Sequence, residues 1–250
     1  MKHHDQPISI LFSASEAAPF AKEGGLGDVV GALPKYLARM GHDVRVVLPR
    51  YRSVNTEKYG LKLLPGTLVV PMGIIGHQYC GVWEGRLPGS DVPVYFLEHE
   101  AYYGRSGLYQ QDGQGYMDND NRFVFLSRAT LELCRMLDFT PDVIHAHDWH
   151  TAAVPVFMNT LYRHDPYTGN ASSILTLHNL QHQGIFYSGL MDVLGISWEH
   201  FNYHELEMNN QTNLLKGGIF HATKLSTVSE GYSREIQTPE FGWGLDSSIR

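Results

Sequence analysis

Cysteine is scarce in this chain: Cys80 and Cys134 are the two among 250 residues, and they form no CxxC pair. Their spacing does not suggest a disulfide framework. Both lie in apolar stretches, which favours buried free thiols. Free thiols are typical of a reducing compartment, so this composition argues against a disulfide-stabilised secreted protein.

Long apolar runs are also missing. The run at residues 8–12 is too short for the core of a signal peptide, and no stretch approaches membrane-spanning length. We therefore expect a soluble cytoplasmic protein with no membrane partner, in which His3 and His4 are exposed to solvent.

Positive charge is in deficit. The chain has 19 Lys and Arg against 26 Asp and Glu, which gives a formal net charge of -7. Nucleic-acid binders and proteins that dock on anionic membranes carry a basic surface, so the charge disfavours both classes. Any phosphate-bearing ligand must then be held by local groups rather than by the overall field.

Hydrophobic residues make up 43% of the chain, enough for a large buried core. Strands are predicted at residues 8–12, 43–48, 142–146, 172–177 and 225–228, and helices at residues 26–40, 119–137, 151–162 and 212–221. We expect Pro34 to kink the first helix, Gly41 to end it, and Ser229 to cap a further helix. The alternation of strands and helices predicts an α/β fold with a doubly wound, mostly parallel sheet.

Residues 61–98 have a different pattern. Short strands at residues 67–75, 78–86 and 92–97, separated by turns, predict an antiparallel excursion at one edge of the sheet. Residues 99–120 are rich in Gly, Tyr, Asp and Gln. This composition predicts a long surface loop, and loops of this length often carry function.

Polar groups follow several of the predicted strands, at residues 22–28, 145–150, 178–184 and 229–230. Ligands of open α/β sheets bind beyond the carboxyl ends of the strands. These four groups are therefore expected to meet at one edge of the sheet and to form a single site.

The first group is a glycine loop, in which Gly24, Gly25 and Gly27 allow a tight turn and the close approach of a ligand. The free amides of the following helix are suited to an anion such as a diphosphate, and Lys22 adds positive charge. The loop is neither GxGxxG nor a Walker loop. A plain strand-to-helix turn with an exposed lysine is the alternative.

The second group contains His145, His147, Asp148 and His150. One interpretation is a metal-dependent hydrolase, because His145 and His147 share a strand face. The other is that Asp148 caps the next helix while the histidines form hydrogen bonds in a packed crevice. No HExxH or CxxC motif accompanies them, which favours the second interpretation.

The remaining polar candidates have structural alternatives as well. His178 and Asn179 either bind sugar hydroxyls or terminate a strand, and aromatic residues of the 99–120 loop, Tyr109 and Tyr116 among them, either stack on sugar rings or pack in the core. The acid pairs Asp118/Asp120 and Glu205/Glu207 do not establish the opposed geometry of a glycosidase, so we interpret them as solvated or structural.

Taken together, the motifs resemble the N-terminal catalytic domain of bacterial glycogen synthases and plant starch synthases, over essentially all 250 residues. The matching segments are Ser15-Glu16-Ala17-Ala18-Pro19-Phe20, Lys22-Glu23-Gly24-Gly25-Leu26-Gly27-Asp28-Val29, Asp142-Val143-Ile144-His145-Ala146-His147-Asp148-Trp149-His150, Thr176-Leu177-His178-Asn179-Leu180 with Gln183-Gly184, Asn213-Leu214-Leu215-Lys216-Gly217-Gly218, and Thr227-Val228-Ser229.

The resemblance implies the N-terminal half of a GT-B fold, which has two Rossmann-like domains facing each other across a cleft. It implies transfer of glucose from ADP-glucose to the non-reducing end of an α-1,4-glucan, with retention at the anomeric carbon, no metal and no other cofactor. Residues 1–250 are then a single acceptor-side domain, and the partner C-terminal nucleotide-binding domain is expected to be missing from the chain.

The same resemblance assigns roles by motif match. Lys22 with the Gly24-Gly25 backbone would bind the phosphates and glucose of the donor, and Asp148 would hold glucose hydroxyls. His178 would lie against the donor sugar, with its backbone carbonyl near the developing oxocarbenium charge. The residues that would line the donor or acceptor pocket are Glu16, Asp28, Tyr116, Asn179 and Gln183.

Two departures stand out. Glu23 occupies a position where the family usually has threonine, and so brings negative charge beside Lys22. The residues His221-Ala222-Thr223 replace the usual Ala-Asp pair.

Without the second domain the diphosphate lacks most of its preorganised partners. A non-catalytic glucan-binding module is therefore the alternative to a glucosyltransferase half, with the metal hydrolase as a third hypothesis.

Overall fold

A computed structural model describes residues 6–250, so the expectation for His3 and His4 lies outside the described residues. The strands of that part of the chain are β1 (Ser9–Ser13), β2 (Asp43–Pro49), β3 (Lys62–Leu63), β4 (Leu68–Pro71), β5 (His77–Arg86), β6 (Pro93–Glu98), β7 (Gln110–Gln111), β8 (Gln114–Gly115), β9 (Val143–His147), β10 (Ser172–Leu177), β11 (Ile185–Tyr187), β12 (Glu207–Met208), β13 (Gln211–Asn213) and β14 (Lys224–Thr227).

The helices are α1 (Gly25–Arg39), α2 (Glu100–Tyr103), α3 (Asn119–Met136), α4 (Asp148–Thr151), α5 (Ala153–Asn159), α6 (Leu190–Leu194), α7 (Leu214–His221), α8 (Glu230–Glu235) and α9 (Asp246–Ile249). Two short 3-10 helices, Gly73–Ile75 and Trp198–His200, complete them. None of the helices within residues 6–250 combines the length and the apolarity needed to span a bilayer.

The main sheet has the order β14-β10-β9-β1-β2-β6-β5-β3, with β4 paired to β5. The pairs from β14 through β6 are parallel, and the pairs made by β5 are antiparallel. This confirms the mostly parallel α/β fold with an antiparallel excursion at one edge. From β1 the chain moves outward to β2 and β6, then crosses back to β9 and continues to β10 and β14, so the order reverses between β1 and β9.

The chain reverses its direction across the sheet between β1 and β9. Because every parallel crossover is right-handed, the helices before and after this reversal cover opposite faces of the sheet. Helix α1 packs on β2, whereas α3 contacts α4 and α5, and α5 contacts α7. The core between these layers is apolar, and β1 and β9 are each buried along four of their five residues. Cys80 and Cys134 are free and buried in it, as predicted, and burial raises the pKa of each thiol to about 12.

Most helix and strand boundaries agree with the sequence-based prediction within a few residues. Helix α1 continues past Pro34 to Arg39, and Gly41 follows its end at φ +95°. The Ser229 side chain caps α8 by accepting from the Tyr232 amide at 3.1 Å, as expected.

Four predicted elements differ from the structure. The strand predicted at residues 67–75 ends at Pro71, because Gly73 turns the backbone at φ +48° into a 3-10 helix. The helix predicted at residues 151–162 is two short helices, α4 and α5. The loop at residues 99–120 contains α2 and the β7–β8 hairpin. Residues 212 and 213 belong to β13 instead of a helix.

The last difference has a local cause. Thr212 pairs with Phe186 and Glu207 in an antiparallel sheet of β11, β13 and β12. Asn213 then caps α7, since its side-chain oxygen accepts from the Lys216 amide at 2.9 Å. A cap must precede its helix, so α7 starts at Leu214.

Candidate active site

Polar side chains converge in a cleft of about 850 Å³ at the carboxyl edge of the parallel strands. Glu16 follows β1, Asp148 follows β9, and His178 follows β10. The edge lies where the strand order reverses, between β1 and β9, which is the position at which open α/β sheets bind ligands. The lining residues are Glu16, Glu23, Gly24, Gly25, Leu26, Val29, Tyr109, Gln110, Gly115, Asn119, Asp148, Trp149, His150, His178, Asn179, His182 and Val228.

The Glu16 carboxylate fixes the glycine loop. One of its oxygens accepts from the Glu23 amide at 2.7 Å and the Gly24 amide at 2.9 Å, and the other accepts from the Tyr109 hydroxyl at 2.7 Å. The carboxylate is buried and held by these three donors. The Gly24 amide is therefore paired with a side chain of the protein itself.

Lys22 lies at the rim of this loop. Its ammonium group contacts the Asp28 carboxylate at 2.7 Å, and the two side chains are 46% and 61% exposed. Neither residue lines the cleft. Exposed ion pairs contribute about 0–1 kcal/mol, so the Lys22–Asp28 pair adds little to stability.

Asp148 has an unusual backbone and a buried carboxylate. Its φ is +53°, and its Oδ1 accepts from the His178 amide at 2.7 Å and the Asn179 amide at 3.4 Å. Burial raises the pKa of Asp148 to about 7, although these two amides oppose the shift. The carboxylate therefore links β9 to the loop after β10 and does not cap α4, contrary to one sequence-based interpretation.

The histidines after β9 make separate contacts. His145 Nε2 lies 2.6 Å from the Thr176 hydroxyl, and His147 Nδ1 lies 3.0 Å from His178 Nε2. The His145 and His147 rings stack at 4.3 Å, in agreement with their shared strand face. Burial lowers the pKa of His145 and of His178 to about 4, so both rings are neutral at pH 7.

Their nitrogens do not converge on one point. Within residues 6–250, the one group of three His, Cys, Asp or Glu side chains with ligand atoms inside 4.8 Å of one another is His200, Glu205 and His221. None of these three lines the cleft. The histidines after β9 therefore form hydrogen bonds in a packed crevice and are not arranged to chelate a metal ion.

Aromatic rings form one wall of the cleft. Tyr109 stacks on His150 at 4.6 Å, and Phe123 packs edge-on against Trp149 at 5.0 Å. Gly184, at φ +63°, lies so close that a β-carbon there would overlap the Trp149 ring. His150 Nδ1 is buried and has no hydrogen-bond partner in the described part of the chain.

The family profile described as the starch synthase catalytic domain matches residues 9–250. The chain belongs to this family.

Relatives of known name agree with this family assignment. Glycogen synthase 1 of Geobacter sulfurreducens is 71% identical over 243 residues, which are 97% of this chain and 48% of that protein. Glycogen synthase of Bacillus subtilis is 41% identical over 246 residues, 97% of this chain and 49% of that protein. The chain thus spans about half the length of the curated relatives it matches.

A solved structure agrees with the fold. The catalytic domain of starch synthase IV from Arabidopsis thaliana, bound to ADP and acarbose, superposes with a TM-score of 0.88 at 31% identity. The match covers 98% of this chain and 49% of that chain. The sheet described above is therefore that of a partial starch synthase catalytic domain, consistent with the N-terminal half of a GT-B fold.

The predicted site residues of this starch synthase domain fall into two groups. Those that line the cleft are Glu16, Gly24, Gly25, Asp148, His178 and Asn179. Those that lie behind or beside it are Lys22, Asp28, Tyr116 and Gln183.

Tyr116 and Gln183 make structural contacts. The Tyr116 hydroxyl accepts from the Gly107 amide at 3.2 Å. Gln183 is buried, donates to the Leu180 carbonyl at 3.1 Å, and accepts from the Asn213 side chain at 2.6 Å. Both residues hold loops that carry lining residues.

Sequence reasoning did not single out Asn119 and His182 as lining residues, and for Tyr109 it left stacking on a sugar ring and packing in the core as alternatives. Asn119 opens α3 and donates to the Tyr109 carbonyl at 2.9 Å. Tyr109 lies on the 99–120 loop, far from Glu16 along the chain, so only the fold brings the two together. The prediction that this loop carries function was the available signal.

Proposed function

We propose that this chain is the acceptor-side, N-terminal half of a cytoplasmic GT-B glucosyltransferase of glycogen or starch synthesis. It transfers glucose from ADP-glucose to the non-reducing end of an α-1,4-glucan, with retention and with no metal or other cofactor. The observation that carries the proposal is one cleft at the point of strand-order reversal, lined by Glu16, Asp148 and His178, in a starch synthase family chain.

The donor glucose is the first ligand to be accommodated. The Asp148 side chain is held by two amides at Oδ1, so its other oxygen is fixed in place to form a hydrogen bond with a sugar hydroxyl. Burial lowers the pKa of His178 to about 4, so a neutral ring lies beside the sugar and adds no positive charge near an oxocarbenium-like centre. His147 holds that ring from behind.

The donor phosphates are the second ligand. Gly25 opens α1, a helix of 15 residues whose N-terminal dipole favours an anion. Lys22 reaches a phosphate once it leaves Asp28, at a cost of about 1 kcal/mol or less. The net charge of -7 gives no general attraction, so the C-terminal domain must supply the other cationic groups.

The choice of ADP-glucose over UDP-glucose is supported by the Arabidopsis relative, whose structure holds ADP. The partner domain is supported by relatives about twice as long as this chain.

The test joins this chain to the C-terminal half of the Geobacter sulfurreducens relative. We expect glucan elongation from ADP-glucose, measured as glucose incorporated into maltooligosaccharide, and slower elongation from UDP-glucose. A correctly folded fusion that elongates no glucan from either donor would contradict the proposal.

The Lys22→Ala variant of this fusion tests the phosphate assignment. Loss of one charge-assisted contact to a phosphate corresponds to about 2 kcal/mol, or roughly a 30-fold fall in kcat/KM. Lys35→Ala, a change on α1 outside the cleft, is the matched control and should leave kcat/KM unchanged. Equal rates for the two variants would remove Lys22 from the donor site.

A further inference from the structure

A second group of titratable side chains lies outside the cleft, at the far end of α7. Glu205 Oε2 is 2.7 Å from His200 Nδ1 and 3.0 Å from His221 Nε2. The ligand atoms of all three side chains lie within 4.8 Å of one another. The His200, Glu205 and His221 side chains are 27%, 16% and 7% exposed, so the group is sheltered yet reachable from solvent.

Hydrogen bonds to their main-chain carbonyls hold His200 and His221 in place. His221 is the last residue of α7, and its carbonyl accepts from Asn159 of α5 at 2.7 Å. His200 ends the 3-10 helix Trp198–His200, and its carbonyl accepts from the Leu206 amide at 3.3 Å. The cluster thus joins two segments that are separated by β12 and β13 along the chain.

Asn202 fixes the carboxylate between the two rings. Its side-chain amide donates to Glu205 Oε1 at 3.1 Å and to the Glu199 carbonyl at 2.8 Å. Asn202 therefore holds Glu205 Oε1, while Oε2 faces both imidazoles. Supporting hydrogen bonds of this kind orient the ligands of metal sites in proteins.

We propose that His200, Glu205 and His221 form a binding site for a borderline transition-metal ion, of which Zn²⁺ is the representative. Two imidazoles and one carboxylate are a donor set suited to Zn²⁺, whereas Mg²⁺ and Ca²⁺ prefer oxygen ligands alone. Ligands of tetrahedral Zn²⁺ are separated by about 3.3 Å, so the observed 2.7 Å and 3.0 Å need to widen by about half an ångström.

Three protein ligands leave one coordination position, which water can fill because His200 and Glu205 are partly exposed. The ion would cross-link Trp198–His200 to the end of α7 and so stabilise this corner of the fold. The site is independent of the proposed glucosyl transfer, since none of the three ligands lines the cleft.

The experiment titrates the metal-free chain with ZnCl₂ in a calorimeter and repeats the titration with His200→Ala and Glu205→Gln. The wild type should bind one equivalent that both variants lose, and its Tm should rise by about 5 °C at a saturating concentration. Co²⁺ in place of Zn²⁺ should give visible absorption bands of a tetrahedral ion that both variants lack.

His204→Ala is the matched control, because His204 is an exposed histidine of the same turn outside the cluster. It should keep the bound equivalent and the Tm shift. Circular dichroism of each metal-free variant verifies folding; His200 is partly exposed, so His200→Ala should fold. Absence of a saturable site in the wild type, or its retention in either cluster variant, would overturn the proposal and leave the group as a hydrogen-bonded structural cluster.

Discussion

At the scale of single residues, the environment of each charge decides its role. Glu16 accepts from three donors, two amides of the nearby glycine loop and the Tyr109 hydroxyl from a distant loop. Glu23, seven positions later, is exposed and lines the cleft with no such donors from the glycine loop. The first carboxylate thus organises the glycine loop, and the second only adds negative charge to it.

Glu23→Thr in the fused enzyme should lower the KM for ADP-glucose. Two unit charges about 4 Å apart in a watery cleft repel by about 1 kcal/mol, which corresponds to roughly a fivefold change. Steady-state kinetics with varied ADP-glucose measure the effect, and Glu57→Thr, a change outside the cleft, is the control. An unchanged or higher KM would show that Glu23 does not repel the donor.

Acid should destabilise the protein through its buried histidines. Burial lowers the folded-state pKa of His145 to about 4, against about 6.5 in the unfolded chain. The folded state therefore binds fewer protons between these values, and stability falls as pH drops from about 6.5 to 4. The contribution of His145 is at most about 3 kcal/mol.

His145→Gln should flatten this acid dependence. The difference in unfolding free energy between wild type and variant should change between pH 4 and pH 6.5 and stay constant above about pH 7. Urea unfolding at several pH values gives this difference, and His182→Gln controls for the loss of an exposed imidazole. Parallel profiles for wild type and His145→Gln would contradict the burial argument.

At the scale of elements, α1 is positioned by a backbone contact as well as by its apolar face. Gly31 lies so close to the loop after β1 that a β-carbon there would be 2.6 Å from the Ala18 carbonyl oxygen. The amide of the same residue, Ala18, donates to the Gly27 carbonyl at 2.8 Å. This close approach brings the N-terminus of α1 to the cleft.

Gly31→Ala should therefore lower the free energy of unfolding by about 2 kcal/mol, because the backbone must move to admit the methyl group. Gly25→Ala, in the same helix with no atom within 4 Å of the added carbon, should change it by about 0.5 kcal/mol or less. Chemical denaturation, with m-values that match the wild type, measures the change in unfolding free energy for each variant. Similar losses for the two variants would show that space at Gly31 is not the cause.

At the scale of the whole molecule, the proposed acceptor-side half offers few groups for a diphosphate, since no lysine or arginine is among the described residues that line its cleft. The isolated chain should therefore bind maltooligosaccharides and release no ADP from ADP-glucose. Titration followed by the fluorescence of Trp149 in the cleft, with cello-oligosaccharides as the control, measures binding, and a coupled ADP assay measures turnover. Turnover by the chain alone would show that the second domain is dispensable.

The sequence by itself determined the parallel α/β fold, because buried strands, amphipathic helices and their caps are local patterns. It also placed the glycine loop, Asp148 and His178 at one edge, since each follows a strand and parallel strands end on the same side. Glu16 was assigned to the site only by the family resemblance. Short strands were less well determined: residues 212 and 213 of β13 were predicted as part of a helix because the pairing of β13 with β11 and β12 is not a local property.

Only the tertiary structure decided which of these residues touch. The contact between Glu16 and Tyr109 spans 93 positions, and the Asp148–His178 contact spans 30. Only the tertiary structure also brings His200, Glu205 and His221 together. From the sequence, Glu205 was paired with Glu207, whereas the fold places Glu205 between two imidazoles. Such contacts depend on how helices pack across the sheet, and packing is set by the shape of the whole core rather than by neighbouring residues.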